Sequence, residues 1–115
     1  MSQKFHLHLV SDSTGETINA LTRACLVQFE GVEVVEHSWT LVRTPGQVEK
    51  VLAAVRSHPG MVLFTMVNES LRAELQDGCR RLQVSCIPVL DPVIGALANF
   101  FGLKAQGQPL SLIHI

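Results

Sequence analysis

Residues 9–17 read LVSDSTGET, an apolar run that breaks into three hydroxyl side chains, one carboxylate and a glycine before a helical pattern begins. Upstream, FHLHLVS (5–11) alternates as a half-buried strand does, and downstream Ile18, Leu21, Cys25, Leu26 and Phe29 recur at helical spacing. Strand, tight polar loop and helix start make the opening half of a βαβ unit. The loop between them is either a cradle for an anion or a capped helix start.

The same alternation continues outward from this unit. VEVVEHSWTLV (32–42) alternates, and Val48, Val51, Leu52 and Val55 follow on one helical stripe. MVLFTMV (61–67) is apolar on both faces, as an inner parallel strand is, and Leu71, Leu75, Cys79 and Leu82 make the next stripe. SCIPVL (85–90) contains Pro88, which cannot donate to a ladder and so belongs at an edge. The last helical segment, PVIGALANFFG, has Pro92 in its first turn and Gly102 behind its last. Four strand–helix units predict an α/β fold: a mostly parallel sheet of about four strands with helices on both faces, Rossmann- or flavodoxin-like.

Composition narrows the function. The chain has 115 residues, 47% apolar and 17% charged, enough for a packed core. Its nine Lys and Arg are scattered, Arg80-Arg81 aside, and the net charge is -1, so nucleic acid is not an expected partner. Cys25, Cys79 and Cys86 form no CxxC pair and read as small buried hydrophobes in a reducing compartment. No stretch reaches the ~18 apolar residues of a membrane span and the first ten residues do not read as a signal peptide; the expected location is the cytoplasm.

In an open parallel sheet, ligands bind beyond the carboxyl ends of the strands. Those ends are followed here by Ser11-Asp12-Ser13-Thr14-Gly15, by Arg43-Thr44, by Asn68-Glu69-Ser70 and by Asp91. The expected phosphate or substrate site is therefore Ser11, Ser13, Thr14, Gly15, Arg43 and Asn68, with Asp12 and Asp91 as the catalytic carboxylates. Backbone N–H groups at a helix start carry partial positive charge, and Gly15 lets the backbone approach an anion. Asp12 and Glu16 repel a bare phosphate, so Arg43, another protein cation or a bound Mg2+ has to compensate. The structural alternative is that Ser13 or Thr14, Ser70 and Asp91 serve as helix N-caps.

Other motifs say less. Thr14-Gly15-Glu16-Thr17 fits the flavodoxin phosphate loop, but Asp12 stands at its first hydroxyl position and Trp39 is the one large indole available for stacking on a flavin. His6 and His8 form an H-x-H on one strand face and read as packed or hydrogen-bonded side chains, with no metal assigned. No G-x-x-x-x-G-K-[ST] loop is present.

Four blocks, FHLHLVSDSTGET, HSWTLVRTPGQ, VLFTMVNESLR and PVLDPVIGALANFFG, together resemble the N-terminal part of the bacterial pyruvate, phosphate dikinase regulatory protein family, over roughly residues 4–109. That family includes the phosphoenolpyruvate synthase regulatory proteins. The resemblance implies a bifunctional full-length enzyme. One activity is an ADP-dependent serine/threonine protein kinase that phosphorylates a threonine of the dikinase or synthase; the other is a phosphorylase that uses phosphate to remove the group as pyrophosphate. The family's nucleotide loop, ending in Lys-Thr, lies C-terminal of these residues and maps onto none of them. Residues 1–109 are then the N-terminal α/β domain, while 110–115, LSLIHI, departs from the family and reads as a run-off, leaving the chain inactive alone. Dimerisation and the choice between dikinase and synthase stay open. The competing expectation is a stand-alone flavodoxin-like domain that binds a phosphorylated ligand or a protein.

Overall fold

Strands and helices alternate throughout the described residues: β1 (Lys4–Val10), α1 (Glu16–Leu26), β2 (Glu33–Trp39), α2 (Pro45–Ser57), β3 (Gly60–Phe64), α3 (Glu69–Arg81), β4 (Cys86–Pro88) and α4 (Asp91–Phe101). This is a computed structural model that describes residues 3–105; the expected boundary after residue 109 and the tail 110–115 lie outside the described residues. The sheet has the order β2-β1-β3-β4 and every pairing is parallel, as the repeated units predict. β1 is the spine, paired with β2 from Lys4↔Glu33 to Val10↔Trp39 and with β3 from His6↔Gly60 to Val10↔Phe64. The doubly apolar third run is an inner strand. Pro88, opposite Phe64, ends a three-residue edge strand, which is where a residue without an N–H can sit.

Alternation along the strands divides the core. Val10, Val62 and Phe64 face α2 and α3, where they meet Val48, Val51 and Val55 and then Leu71, Leu75 and Cys79. These helical residues are spaced by three and four, so each helix presents one buried stripe. Burial of each such aliphatic side chain contributes about 1.5–3 kcal/mol. The opposite face carries α1, which lies on it beside an apolar groove of about 510 Å³ lined by Phe5, Leu7, Leu21, Leu26, Met61 and Ile87 among others. Helices thus cover both faces, but Met61 and Ile87 remain exposed where α1 does not reach.

Three details depart from the sequence pattern. In α1 the buried positions are Ile18 and Thr22, whereas Cys25 and Phe29 are exposed: α1 packs on one part of its sheet face, and Phe29 lies beyond the helix end at Leu26. β2 stops at Trp39 rather than 42 because residues 40–42 turn toward the first loop, Leu41 N–H donating to the Ser13 carbonyl and Val42 N–H to that of Ser11. β3 stops at Phe64, and Thr65 and Met66 turn inward, both buried. Of the cysteines, Cys79 is buried as expected, whereas Cys86 is half-buried and Cys25 exposed. No helix among the described residues is long and apolar enough to cross a membrane.

At the amino end of the sheet β3 begins on Gly60, where an added Cβ would overlap the backbone carbonyl of His6. Gly60→Ala is expected to lower stability by about 2 kcal/mol. Gly46, with open space around it, should tolerate the same change. Urea midpoints of the two variants provide the check.

Candidate functional site

Strand order reverses between β1 and β3: the chain leaves β1 toward β2 on one side and returns to β3 on the other. In such sheets the crevice opens at this switch point, outside the carboxyl ends of the strands. The loop after β1 occupies it. Ser11, Asp12 and Ser13 are all buried, at 1%, 5% and 4% exposure, although they follow a strand end where loops ordinarily face water.

Backbone bonds hold the loop down. Ser11 N–H donates to the Trp39 carbonyl at 2.9 Å, and residues 41 and 42 donate back to Ser13 and Ser11, so the chain after β2 stitches the loop in place. Leu41 accepts a positive φ of 54° to make this turn. Inside the loop the Ser11 hydroxyl accepts from Ser13 N–H at 3.0 Å, and the two hydroxyls lie 3.4 Å apart. Thr14 is exposed, and Gly15 is the N-cap of α1 with φ 88°, a left-handed conformation that favours glycine. An added Cβ there would press on the Thr40 methyl at 3.1 Å.

Asp12 is the centre of the arrangement. Its Oδ2 accepts from Val67 N–H at 3.2 Å, reaching from the β1 loop across to the loop after β3. Its Oδ1 is buried with no hydrogen-bond partner. Burial pushes the Asp12 carboxyl above the ordinary value of 3.8, against the pull of Val67 N–H, its own backbone N–H and the Arg43 guanidinium. Arg43 donates from Nε to the Asp12 carbonyl at 2.8 Å, so a cation from beyond β2 lies beside this carboxylate. Thr65, whose own N–H donates to the Val10 carbonyl at 3.0 Å, adds a second buried, unpartnered side-chain oxygen in the loop after β3.

The structure thus brings together Ser11, Asp12, Ser13, Gly15 and Arg43. Asn68 stands next to Val67 but is the N-cap of α3, its side chain accepting from Leu71 N–H at 3.0 Å. Asp91 is not free: it takes both nitrogens of the Arg72 guanidinium, one at 3.1 Å, and the same guanidinium lies 5.3 Å from the centre of the Phe64 ring. The capping alternative is corrected at three positions. The caps are Gly15, without a side-chain bond, Asn68 and Leu90, rather than Ser13 or Thr14, Ser70 and Asp91. α2 has a full capping box between Thr44 and Gln47. The hydroxyls of the first loop are therefore not spent on capping α1.

Thr65 and Arg72 are the residues that sequence patterning passes over. Thr65 sits inside an apolar run and reads as strand; Arg72 reads as a solvated helix charge. In the structure Thr65 lies just past the last β3 residue and Arg72 one turn into α3.

The fold and this rim define an α/β domain with a buried carboxylate and an arginine at the switch point of a parallel sheet. The family model described as kinase/pyrophosphorylase matches residues 7–115, and the chain belongs to that family. It is 50% identical over 107 residues to a protein of Paramagnetospirillum magneticum, covering 93% of this chain and 34% of the relative. A protein of Rhodospirillum rubrum is 47% identical over 107 residues, with 93% and 39% covered, and one of Caulobacter vibrioides 46% over 100 residues, with 87% and 32%. Each of the three is named, provisionally, as a pyruvate, phosphate dikinase regulatory protein. The chain spans about a third of the length of these relatives.

Because Asp12 is buried, its ionised form costs stability at neutral pH. A carboxyl raised in the folded state binds more protons folded than unfolded, so stability falls as pH rises from 3.8 through the folded value. Asp12→Asn keeps an acceptor for Val67 N–H and removes that cost. Its urea midpoint is expected to exceed that of the native chain at pH 7, with the difference vanishing toward pH 3.8. A midpoint lower at pH 7 than at pH 4, relative to the native chain, would mean that Asp12 stabilises the fold.

Proposed function

We propose that residues 1–109 are the N-terminal α/β part of a bifunctional regulator of pyruvate, phosphate dikinase or phosphoenolpyruvate synthase. In this reading the whole protein is an ADP-dependent serine/threonine protein kinase and a phosphate-dependent pyrophosphorylase. The family match and the names of the relatives support the enzyme class and the target. The observation that carries the assignment of the site is the buried, unpartnered Oδ1 of Asp12 beside Arg43.

Both reactions move one phosphoryl group. In the kinase direction a threonine hydroxyl attacks the β-phosphorus of ADP, AMP leaves and the hydroxyl proton goes to a base. In the reverse process inorganic phosphate attacks the phosphothreonine phosphorus, the threonine oxygen leaves with a proton and pyrophosphate forms. Asp12 suits the proton-accepting role, because a carboxyl raised by burial is a better base than an exposed one. Asp91, engaged by Arg72, is the weaker candidate.

Arg43 supplies the counter-charge for phosphate oxygens, and Ser11, Ser13, Thr14 and Gly15 offer hydroxyl and backbone donors at the start of α1. Asn68 retains its amide NH2 for the same anion while its oxygen caps α3. Asp12 Oδ1 would also hold a Mg2+, which supplies charge neutralisation when a nucleotide is bound.

In a full-length protein carrying these residues, Asp12→Asn is expected to lower both the kinase and the phosphorolysis rate by about 10²-fold or more. Arg43→Ala should act chiefly by raising the phosphate concentration needed for half-maximal phosphorolysis. Paired assays of AMP release and pyrophosphate release measure both. Retention of full activity in both variants would remove the switch-point loop from the reaction.

A further inference from the structure

At the opposite, amino end of the sheet four imidazoles stack on the face that carries α2. His6 and His8 project from β1, His37 comes from β2 in register with His8, and His58 is the C-cap of α2. Ring centroids lie 4.6 Å apart for His8–His37, 5.0 Å for His6–His58, and 5.2 Å for both His6–His37 and His37–His58. His6 Nδ1 and His37 Nε2 are 2.9 Å apart, so one must hold a proton and the other a lone pair. His8 Nε2 donates to the His58 carbonyl at 2.8 Å, which ties β1 to the end of α2. This bond leaves His8 Nδ1 as a buried lone pair with no partner, in a residue of 0% exposure.

The geometry does not suit a metal. The rings stack instead of converging, and among the described residues no group of three His, Cys, Asp or Glu side chains is placed to hold one. It does suit a proton. Both bonds are complete with every ring neutral, whereas a second proton on His8 would put an N–H⁺ at Nδ1, where there is no acceptor. Protonation of both His6 and His37 would set two donors against each other at 2.9 Å.

We propose that these four histidines form a proton-operated latch: neutral, they hold the carboxyl end of α2 against β1, and charged, they release it. The bond to the His58 carbonyl is the clasp, and mutual repulsion of the rings opens it. Burial and the neighbouring histidines hold both His8 and His37 below the ordinary value of 6.5. A histidine lowered in the folded state binds fewer protons folded than unfolded. The contribution of His8 and His37 to the closed latch is therefore present above pH 6.5 and is lost as pH falls from 6.5 through the folded values.

The surrounding charges do not offset this. Lys4 and Glu33, at the starts of β1 and β2, pair with each other at 3.9 Å, and the last turn of α2 carries the exposed Arg56, a further positive charge. β3 has no ionisable side chain, and in α3, which packs on α2, Asp77 is engaged by Arg80 at 2.7 Å.

The test is amide hydrogen exchange of this chain between pH 7.5 and 5.5, corrected for intrinsic chemistry. Protection in the last turn of α2 and the start of β3 (residues 54–62) is expected to fall at least tenfold more than protection in α3. His37→Gln and His58→Gln, neither at a fully buried position, should each flatten that dependence, and the double variant should abolish it. Equal loss of protection in both regions, or a pH profile unchanged in the double variant, would overturn the latch. Neither readout involves phosphate or enzymatic turnover, so the result is independent of the proposed function.

Discussion

Everything at the rim depends on one carboxylate held where carboxylates are costly. Asp12 leaves water to reach Val67 across the switch point, and one of its oxygens finds a backbone N–H while the other finds nothing. A fold selected for stability alone would replace it with a neutral residue, since burying an unsatisfied polar atom costs about 1–3 kcal/mol. Its cost is tolerated because β1 is locked on both sides. Parallel pairing to β2 and β3 fixes the strand end, and the bonds from residues 41 and 42 fix the loop beyond it. A rigid backbone that keeps a group in an unfavourable place is the structural condition for a pre-organised site.

The same spine connects the two ends of the molecule. β1 carries His6 and His8 near its start and delivers Ser11 and Asp12 at its finish, while α2 runs from the Thr44 cap beside Arg43 to His58. The helix is 13 residues long, roughly 20 Å at 1.5 Å per residue. α2 is thus clamped at one end by polar contacts around the loop after β1 and at the other by the imidazole stack. Between them the Val48–Val51–Val55 stripe is buried against the sheet.

Much of this was legible in the sequence because parallel sheets write a strong pattern. The doubly apolar run around Val62 marked an inner strand, Pro88 marked an edge, and the stripes of α2 and α3 fell where three- and four-residue spacing put them. The loop with Ser11, Asp12 and Ser13 was visible as an excess of polar groups between strand and helix, and Arg43 as the cation after the next strand. What the pattern could not carry was pairwise geometry. Which residue caps each helix depends on local backbone conformation and side-chain reach, so Gly15 and Asn68 stand where composition favours hydroxyls. The partnership of Asp91 with Arg72 joins residues of different helices, and the stacking of His37 and His58 on His6 and His8 depends on sheet register; neither leaves a local trace. Thr65 was hidden because the strand ends three residues earlier than its apolar run.

The most direct measurement is the titration of the Asp12 side-chain carboxyl itself, followed by carbon NMR in this chain with and without pyrophosphate. A preformed, desolvated carboxylate beside an anion site gives a midpoint above 3.8 that moves when pyrophosphate is added. A midpoint at or below 3.8, indifferent to pyrophosphate, would show an ordinary solvated aspartate and contradict the account of the rim as a prepared site.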